Sequence, residues 1–209
     1  MGASLNSSSQ ILPLYAMAPI VLASTSPYRR ELLQRLRLPF EVQAPRVDEV
    51  ALEGEAPRAT ALRLALAKAA AVAANRPGAI IIGSDQVADV GGRALSKPGT
   101  HEAALAQLTR MQGREVVFHT AVAVIDQRGG QQIDEVPTHV RFRLLTGAQL
   151  DAYLRAEQPY DCAGAAKIEA LGITLVDSVR SDDPTALIGL PLIRLTSMLA
   201  ACGVLLPSI

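Results

Sequence analysis

The chain has 209 residues and a mass of 22.1 kDa, and its 20 lysines and arginines are balanced by 20 aspartates and glutamates. A formal net charge of zero and a pI near 6.8 exclude a strongly basic binder of nucleic acid or anionic membrane, so any anion site must be built locally. The two cysteines, Cys162 and Cys202, lack CxxC or metal-ligand spacing, which indicates reduced thiols in a cytoplasmic protein.

The N-terminal 18 residues have no basic region followed by an apolar core and a cleavage site. We predict that they form a disordered extension ahead of a single domain at residues 19–209. The longest alanine-rich stretch, residues 59–74, is interrupted by Arg63 and Lys68. It therefore predicts a helix of the domain and not a membrane span.

Strand-like and helix-like segments alternate along the chain, which is typical of an α/β fold. In the first half these are a strand at 20–23, a helix at 28–36, a strand at 40–44, a helix at 57–75, a strand at 79–83 and a hairpin at 87–95. In the second half they are a helix at 100–111, strands at 116–126 and 135–145, a helix opening at 146, a strand at 173–179 and a helix at 184–202. No repeat or low-complexity linker divides them, so we predict one α/β domain with a mixed sheet flanked by helices.

The stretch LASTSPYRRELL, residues 22–33, places hydroxyls and arginines between the first strand and the first helix. Backbone N–H groups at a helix start and guanidinium groups are both suited to phosphate oxygens. The cluster from Ser24 to Arg30 is therefore a candidate phosphate site. A capped helix with solvated arginines explains the same residues equally well.

Acidic residues follow two of the predicted strands. Asp85 comes directly after the buried strand 79–83, so we expect its carboxylate at the lip of a cleft. Glu49, in the acidic loop Asp48-Glu49, could share a divalent cation with it, because Mg²⁺ takes one or two carboxylates plus substrate phosphates. From composition alone, a solvated loop is the simpler interpretation of Asp48-Glu49.

Two lysines could offset the charge of a polyphosphate. Lys97 stands in a loop between serine and proline, where packing gives no reason for it. Lys68 lies within an apolar helical pattern, and the alternative there is a side chain that reaches solvent along the helix surface. The three histidines, His101, His119 and His139, have no ligand spacing and are predicted to be structural or exposed.

Five motifs in this order resemble the Maf family of nucleoside triphosphate pyrophosphatases. They are LASTSPYRRELL, VDE at 47–49, GSDQV at 83–87, SKP at 96–98 and CAGAAKIEALGITL at 162–175. The resemblance implies an elongated, inosine triphosphatase-like fold with two lobes around a central cleft. It also implies cleavage between the α and β phosphates with a divalent metal, Mg²⁺ or Mn²⁺. The expected partner is a small nucleotide, with no nucleic acid and no membrane, and a homodimer stays open.

The resemblance also implies a role for each matching residue. Ser24, Arg29, Lys68 and Lys97 would bind phosphate, Glu49 and Asp85 would hold the metal, and Asp85 would be the proton acceptor. The sequence leaves open whether Asp85 takes the proton or mainly holds metal and water.

SDQ together with CAG..K.E..G resembles the members of the family that hydrolyse 7-methyl-GTP. Tyr28, Gln86 and Glu169 are then the specificity residues. Tyr28 would stack on the cationic methylated base, with a cation–π contribution of roughly 0.5–2 kcal/mol. Glu169 would accept from the guanine edge. Those members usually have tryptophan at the position of Tyr28. Many members of the family have GKP where this chain has SKP.

Three alternatives remain open from the sequence. The first is the same reaction on dTTP and UTP. The second is a nucleotide-binding regulator of cell division without relevant hydrolysis. The third, an inosine triphosphate-type enzyme, is suggested by the fold alone.

Overall fold

Strand β3, Ile80–Asp89, lies in the middle of a seven-stranded mixed sheet. The structure is a computed structural model that describes residues 18–207. The other strands are β1 Ile20–Ala23, β2 Glu41–Gln43, β4 Ala94–Leu95, β5 Glu115–Ile125, β6 Gln131–Phe142 and β7 Val176–Arg180. The helices are α1 Pro27–Gln34, α2 Pro57–Ala73, α3 His101–Met111, α4 Gly147–Glu157 and α5 Leu192–Ala201, with short 3₁₀ turns at Ala163–Ala165, Leu171–Leu175 and Ala186–Ile188.

The strand order is β2-β1-β3-β5-β6-β7, and β4 pairs with the end of β3. β1 runs parallel to β2 and to β3, while β3, β5, β6 and β7 pair antiparallel in succession. The predicted α/β class with a mixed sheet and flanking helices is therefore confirmed.

Apolar side chains form separate cores on the two faces of the sheet, because successive side chains of a strand point to opposite faces. Ile80 and Ile82 pack with leucines of α1 and α5 on one face. Ile81 packs with the alanines of α2 on the other face. A third core packs α3 and α4 against the start of β5 and the end of β6. The fold therefore has one lobe around each end of the sheet.

Gly83 allows α2 to approach the sheet closely. A Cβ atom at this position would lie 2.2 Å from the carbonyl oxygen of Ala65 and 2.7 Å from the amide nitrogen of Ala69. Both atoms belong to the helix backbone, so relief requires the whole helix to move. We expect Gly83→Ala to lower the free energy of unfolding by about 1–3 kcal/mol, the usual cost of overpacking. Urea denaturation measures the effect, and Gly147→Ala, where nothing lies within 4 Å, is the matched control.

Two predicted boundaries at the C-terminal end are wrong. The helix expected at 184–202 begins at Leu192, because Gly189 has a φ of +124° and Pro191 follows it at the helix start. The strand expected at 173–179 begins at Val176. Its first residues form a 3₁₀ turn in which the amide of Ile173 donates to the carbonyl of Ala170 at 3.2 Å.

The predicted end of the third strand is also wrong. β3 continues through Ser84-Asp85-Gln86 to Asp89, with Asp85 paired in register with Ala121 of β5. The predicted N-terminal extension lies outside the described residues, except for Ala18. Among residues 18–207, no helix is both long and apolar enough to cross a membrane.

Candidate active site

The candidate site begins where β1 ends and β3 continues. Ala23 is the last residue of β1 and pairs with Gly83. From Ser84 onward β3 has lost this parallel neighbour, so its side chains border the loop that enters α1. An edge of this kind, at the carboxyl end of a parallel strand, is where open α/β sheets bind ligands.

The loop from Ser24 into α1 is fixed by its own hydroxyl groups. Ser24 is buried, and its Oγ accepts a hydrogen bond of 3.1 Å from the amide of Ser26. Ser26 is the N-cap of α1 and accepts from the amide of Arg29 at 3.3 Å. Pro27 takes the first helical position, where its missing N–H costs no hydrogen bond. Both hydroxyls therefore order the loop that carries Tyr28 and Arg29.

Lys68 joins the two candidate carboxylates. Its side chain extends from α2 towards the sheet and is only 4% exposed. The Nζ atom lies 2.7 Å from Asp85 Oδ1 and 2.8 Å from Glu49 Oε1. Lys68 therefore does not reach solvent, and Glu49 is part of this cluster. Asp48 is different, since its carboxylate only accepts from the amide of Val50 in an exposed turn.

Five charged residues influence one another around this cluster. Loss of solvation lowers the pKa of Arg29, while the charges of Asp85 and Glu49 act in the opposite direction. For Glu49, desolvation raises the pKa, but the hydrogen bond and charge of Lys68 outweigh it. Lys97 and Arg29 add to that effect, so the pKa of Glu49 lies below its usual value. The structure thus brings together the phosphate and metal candidates predicted from separate loops.

A second group of residues lies where α1 approaches the segment at residues 162–175. The Nζ atom of Lys167 lies 5.5 Å from the centroid of the Tyr28 ring. Burial raises the pKa of Tyr28, and the neighbouring Cys162 and Asp161 raise it further. Desolvation also raises the pKa of Glu169, although this residue is exposed. Tyr28 on α1 therefore faces the segment of the CAGAAKIEALGITL motif that contains Glu169.

Gln86 lies on the face of β3 opposite to Asp85. Its Nε2 atom is within hydrogen-bond distance of Thr120 Oγ1 at 2.9 Å and of the carbonyl oxygens of Ala186 and Leu187 at 3.1 and 2.9 Å. The amide of Gln86 therefore binds the protein's own C-terminal segment in this structure.

The histidines lie outside both groups. Each has a ring nitrogen within 3.0 Å of a carboxylate oxygen, from Asp151 for His101, Glu135 for His119 and Glu115 for His139. This is the structural or surface role that the sequence predicts.

A model of the Maf-like protein family matches residues 19–202, which include every residue of both groups. The chain belongs to the Maf family. It is 62% identical to a protein named 7-methyl-GTP pyrophosphatase from Polaromonas sp., over 90% of this chain and 86% of that one. It is 63% identical to a protein of the same name from Burkholderia thailandensis, over 88% of this chain and 87% of that one. A third protein of this name, from Thiobacillus denitrificans, is 61% identical over 88% and 92%.

Sequence reasoning missed two parts of this Maf protein. Lys167 binds Glu157 Oε1 at 3.0 Å besides facing Tyr28. The sequence signal for Lys167 was its position two residues before Glu169, inside the motif at residues 162–175. The other part is the segment Asp183–Leu190, whose Asp-Pro and Gly-Leu-Pro sequence marks turns and not the helix interior predicted there.

Asp85 and Glu49 are the carboxylates of this Maf protein that could bind a divalent cation. One Asp85 oxygen and one Glu49 oxygen converge on the ammonium of Lys68, so the two carboxylates lie close enough to act on the same cation. Across residues 18–207, no cluster of three or more histidine, cysteine or acidic groups is placed to hold a metal. Two carboxylates nevertheless fit Mg²⁺, which commonly takes its remaining ligands from water and substrate phosphates.

Proposed function

We propose that this chain hydrolyses a nucleoside triphosphate between the α and β phosphates, with 7-methyl-GTP as the favoured substrate. The observation that carries the proposal is the buried Lys68, which binds Asp85 and Glu49 beside Arg29 and the start of α1. A carboxylate held by a fixed cation next to phosphate ligands suits attack of water on phosphorus. The names of relatives about 60% identical support the choice of substrate.

The reaction assigns Asp85 the role of proton acceptor. Asp85 orients a water molecule and takes its proton as the water oxygen forms a bond to the α-phosphorus. The bond from that phosphorus to the bridging oxygen breaks, and pyrophosphate leaves with the electron pair. The products are a nucleoside monophosphate and pyrophosphate. Lys68 fixes the position of the Asp85 carboxylate through its 2.7 Å contact.

The phosphate end of the substrate is assigned to Arg29 and Lys97. Both are cations within the electrostatic range of Glu49. Their charge would offset the charge that develops on the leaving pyrophosphate. Ser24 contributes by ordering the loop through its bond to the amide of Ser26, so that the N–H groups at the start of α1 face the anion.

The base end is assigned to Tyr28 and Glu169. The Tyr28 ring already holds a cation, the ammonium of Lys167, which is the interaction that a methylated, cationic guanine would make. A carboxylate at Glu169 would accept from the N–H groups of the guanine edge and complement the charge of the base. We assign Gln86 a specificity role through the segment at Ala186 and Leu187 that its amide holds.

A divalent cation, Mg²⁺ or Mn²⁺, completes the proposal. Asp85 and Glu49 would hold it together with the substrate phosphates. A bound cation would offset charge on the phosphate oxygens. We also propose a cytoplasmic location, which the free thiols of Cys162 and Cys202 support.

A nucleotide panel tests the proposed function. Purified full-length protein with Mg²⁺ or Mn²⁺ is given 7-methyl-GTP, GTP, dTTP, UTP and inosine triphosphate, and released pyrophosphate is measured. We expect the highest kcat/KM for 7-methyl-GTP. The products should be the nucleoside monophosphate and pyrophosphate, with no release of inorganic phosphate. Faster turnover of dTTP or UTP would assign the chain to the pyrimidine substrates, and nucleotide binding without turnover would favour the regulator.

The variant Glu169→Gln tests the base pocket. It keeps the size of the side chain and removes the negative charge, so we expect kcat/KM for 7-methyl-GTP to fall roughly 10- to 100-fold, with a smaller change for uncharged bases. The matched control is Glu102→Gln, which removes an exposed carboxylate in the first turn of α3. An unchanged kcat/KM for both 7-methyl-GTP and GTP in Glu169→Gln would remove Glu169 from base recognition, and an equal fall for both would limit its role to the shared guanine edge.

A further inference from the structure

The segment Asp183–Leu190 packs on the face of β3 opposite to Asp85. Ser84 Oγ lies 2.9 Å from the carbonyl oxygen of Gly189. Thr120 Oγ1 of β5 donates to the carbonyl of Ala186 at 2.9 Å. The strand that carries Asp85, together with its neighbour β5, therefore holds this segment at several points.

The carbonyl group of Gly189 connects the segment to Arg29. Arg29 Nε donates to this oxygen at 2.8 Å, across 160 positions of sequence. Among residues 18–207, Nε is the guanidinium nitrogen that makes a hydrogen bond, so within this part of the chain both terminal amino groups are available to an anion. Gly189 has a φ of +124°, which residues with a Cβ rarely adopt. The direction of its carbonyl thus depends on how the segment is folded.

Asp183 connects the two ends of the segment. It is a carboxylate only 2% exposed. Its Oδ1 atom accepts from the amide and the hydroxyl of Thr185 at 2.9 and 2.6 Å. Its Oδ2 atom accepts from the amide of Ile193, in the first turn of α5, at 2.6 Å. One buried side chain therefore fixes both ends of the turn that presents Gly189.

The hydroxyl of Thr185 closes the same turn. It lies 2.9 Å from the carbonyl oxygen of Leu190, and it accepts from the amide of Leu192 at 2.8 Å. The amide just after Pro191 is thereby connected through Thr185 to Asp183. A change in the Asp183 carboxylate therefore acts on the Gly189 carbonyl through Thr185 and the start of α5, alongside the bond from Ser84 that holds the same carbonyl.

We propose that Asp183 is a positioning residue for phosphate binding. It acts through the Gly189 carbonyl, which holds Nε of Arg29 and so directs the terminal amino groups of that guanidinium. The role deepens the proposed function, because it rests on Arg29 being a phosphate ligand. Asp183 itself does not touch the substrate.

The variant Asp183→Asn tests this role. It replaces one acceptor oxygen by an NH₂ group, so one of the bonds to Thr185 or Ile193 is lost. We expect KM for the nucleotide to rise about tenfold, with a smaller change in kcat. The control is Asp182→Asn, which alters the adjacent exposed aspartate and should leave both constants unchanged. Equal kinetics for Asp183→Asn and wild type would overturn the proposal.

A double-mutant cycle with Arg29→Met separates positioning from a general loss of stability. If Asp183 acts through Arg29, Asp183→Asn should change activity less than twofold once Arg29 is absent. If Asp183→Asn lowered activity by the same factor in both backgrounds, its role would be merely structural and the proposal would be contradicted. Should Asp183→Asn fail to fold, Gly189→Ala replaces it in the cycle. A Cβ at position 189 lies 3.6 Å from Arg29 Nε, an ordinary contact, so the change acts through the backbone.

The dissociation constant for inorganic tripolyphosphate, measured by calorimetry on the same four proteins, provides a readout without hydrolysis. We expect weaker binding in Asp183→Asn only where Arg29 is present. If wild type hydrolyses no nucleotide but this coupling is found, the proposed function fails and the positioning role stands. If wild type hydrolyses the nucleotide but neither assay shows coupling between Asp183 and Arg29, the positioning role is overturned and the proposed function stands.

Discussion

Replacing Asp85 by asparagine should lower kcat for the preferred nucleotide by about 10³-fold or more while leaving nucleotide binding measurable. The reason is that asparagine cannot accept the proton of the attacking water, and general-base catalysis typically contributes 10²- to 10⁴-fold. Asparagine keeps an oxygen that can still accept from Lys68, so the fold of the site should be preserved. Initial rates of pyrophosphate release and calorimetric binding of the nucleotide measure the two effects.

Asp89→Asn is the matched control for this variant. Asp89 lies on the same strand and the same face as Asp85, but its carboxylate accepts from the amide of Gly92 in the β3–β4 turn. We expect near wild-type turnover. If Asp85→Asn also turned over at the wild-type rate, Asp85 would not be the proton acceptor, whatever the substrate.

Replacing Lys68 by methionine should have the largest effect on stability. The variant removes the ammonium between two carboxylates, and Asp85, with a side chain only 9% exposed, is left as a buried charge without its cation. Breaking a buried ion pair from one side typically costs 3–5 kcal/mol, and we expect about 3 kcal/mol at pH 7. Urea denaturation with far-UV circular dichroism measures the free energy of unfolding.

The double variant Lys68→Met/Asp85→Asn should recover most of this loss, because it removes both charges. Arg155→Met is the control for an exposed pair. Its side chain is 72% exposed and binds Asp151 one turn away, so a change below about 1 kcal/mol is expected. A Lys68→Met protein as stable as wild type would contradict the buried bridge.

The loss in Lys68→Met should also depend on pH. The folded-state pKa of Glu49 lies below its usual value of 4.5, in part because of Lys68. A carboxyl with a lowered folded pKa contributes stability above its unfolded pKa and loses that contribution as the pH falls through the folded pKa. The difference between wild type and Lys68→Met should therefore be largest above about pH 4.5 and shrink below it.

The sequence was sufficient for the fold class because hydrophobic periodicity is a local signal. The run at 79–83 and the alanine-rich helix at 57–75 both predict elements that the structure contains. The structural environment of a residue was harder to predict where its contact lies far along the chain. Asp85 looks like a loop residue, since a carboxylate in a buried strand is costly. Lys68, seventeen positions away, removes that cost, and periodicity contains no record of this pairing.

The candidate site shows the same limit. Residue types and motifs led to Ser24, Arg29, Glu49 and Lys68, and the structure brings the last three into one electrostatic cluster around Asp85. The link from Arg29 to Gly189 could not be predicted, because it joins a side chain to a backbone carbonyl. Any residue has such a carbonyl, so no residue type reports it.

The alternation of side chains along β3 has an evolutionary consequence. Asp85 points to the α2 side, whereas Ser84 and Gln86 point to the segment at residues 186–189 on the other side. Neighbouring positions in one short motif thus contact different parts of the protein, so a substitution at one need not disturb the contacts of the other. A lineage can exchange the residue at 86 together with its contacts at 186 and 187 while the layer containing Asp85 stays unchanged. Homologous enzymes could in this way inherit one reaction and diverge in the nucleotide they accept.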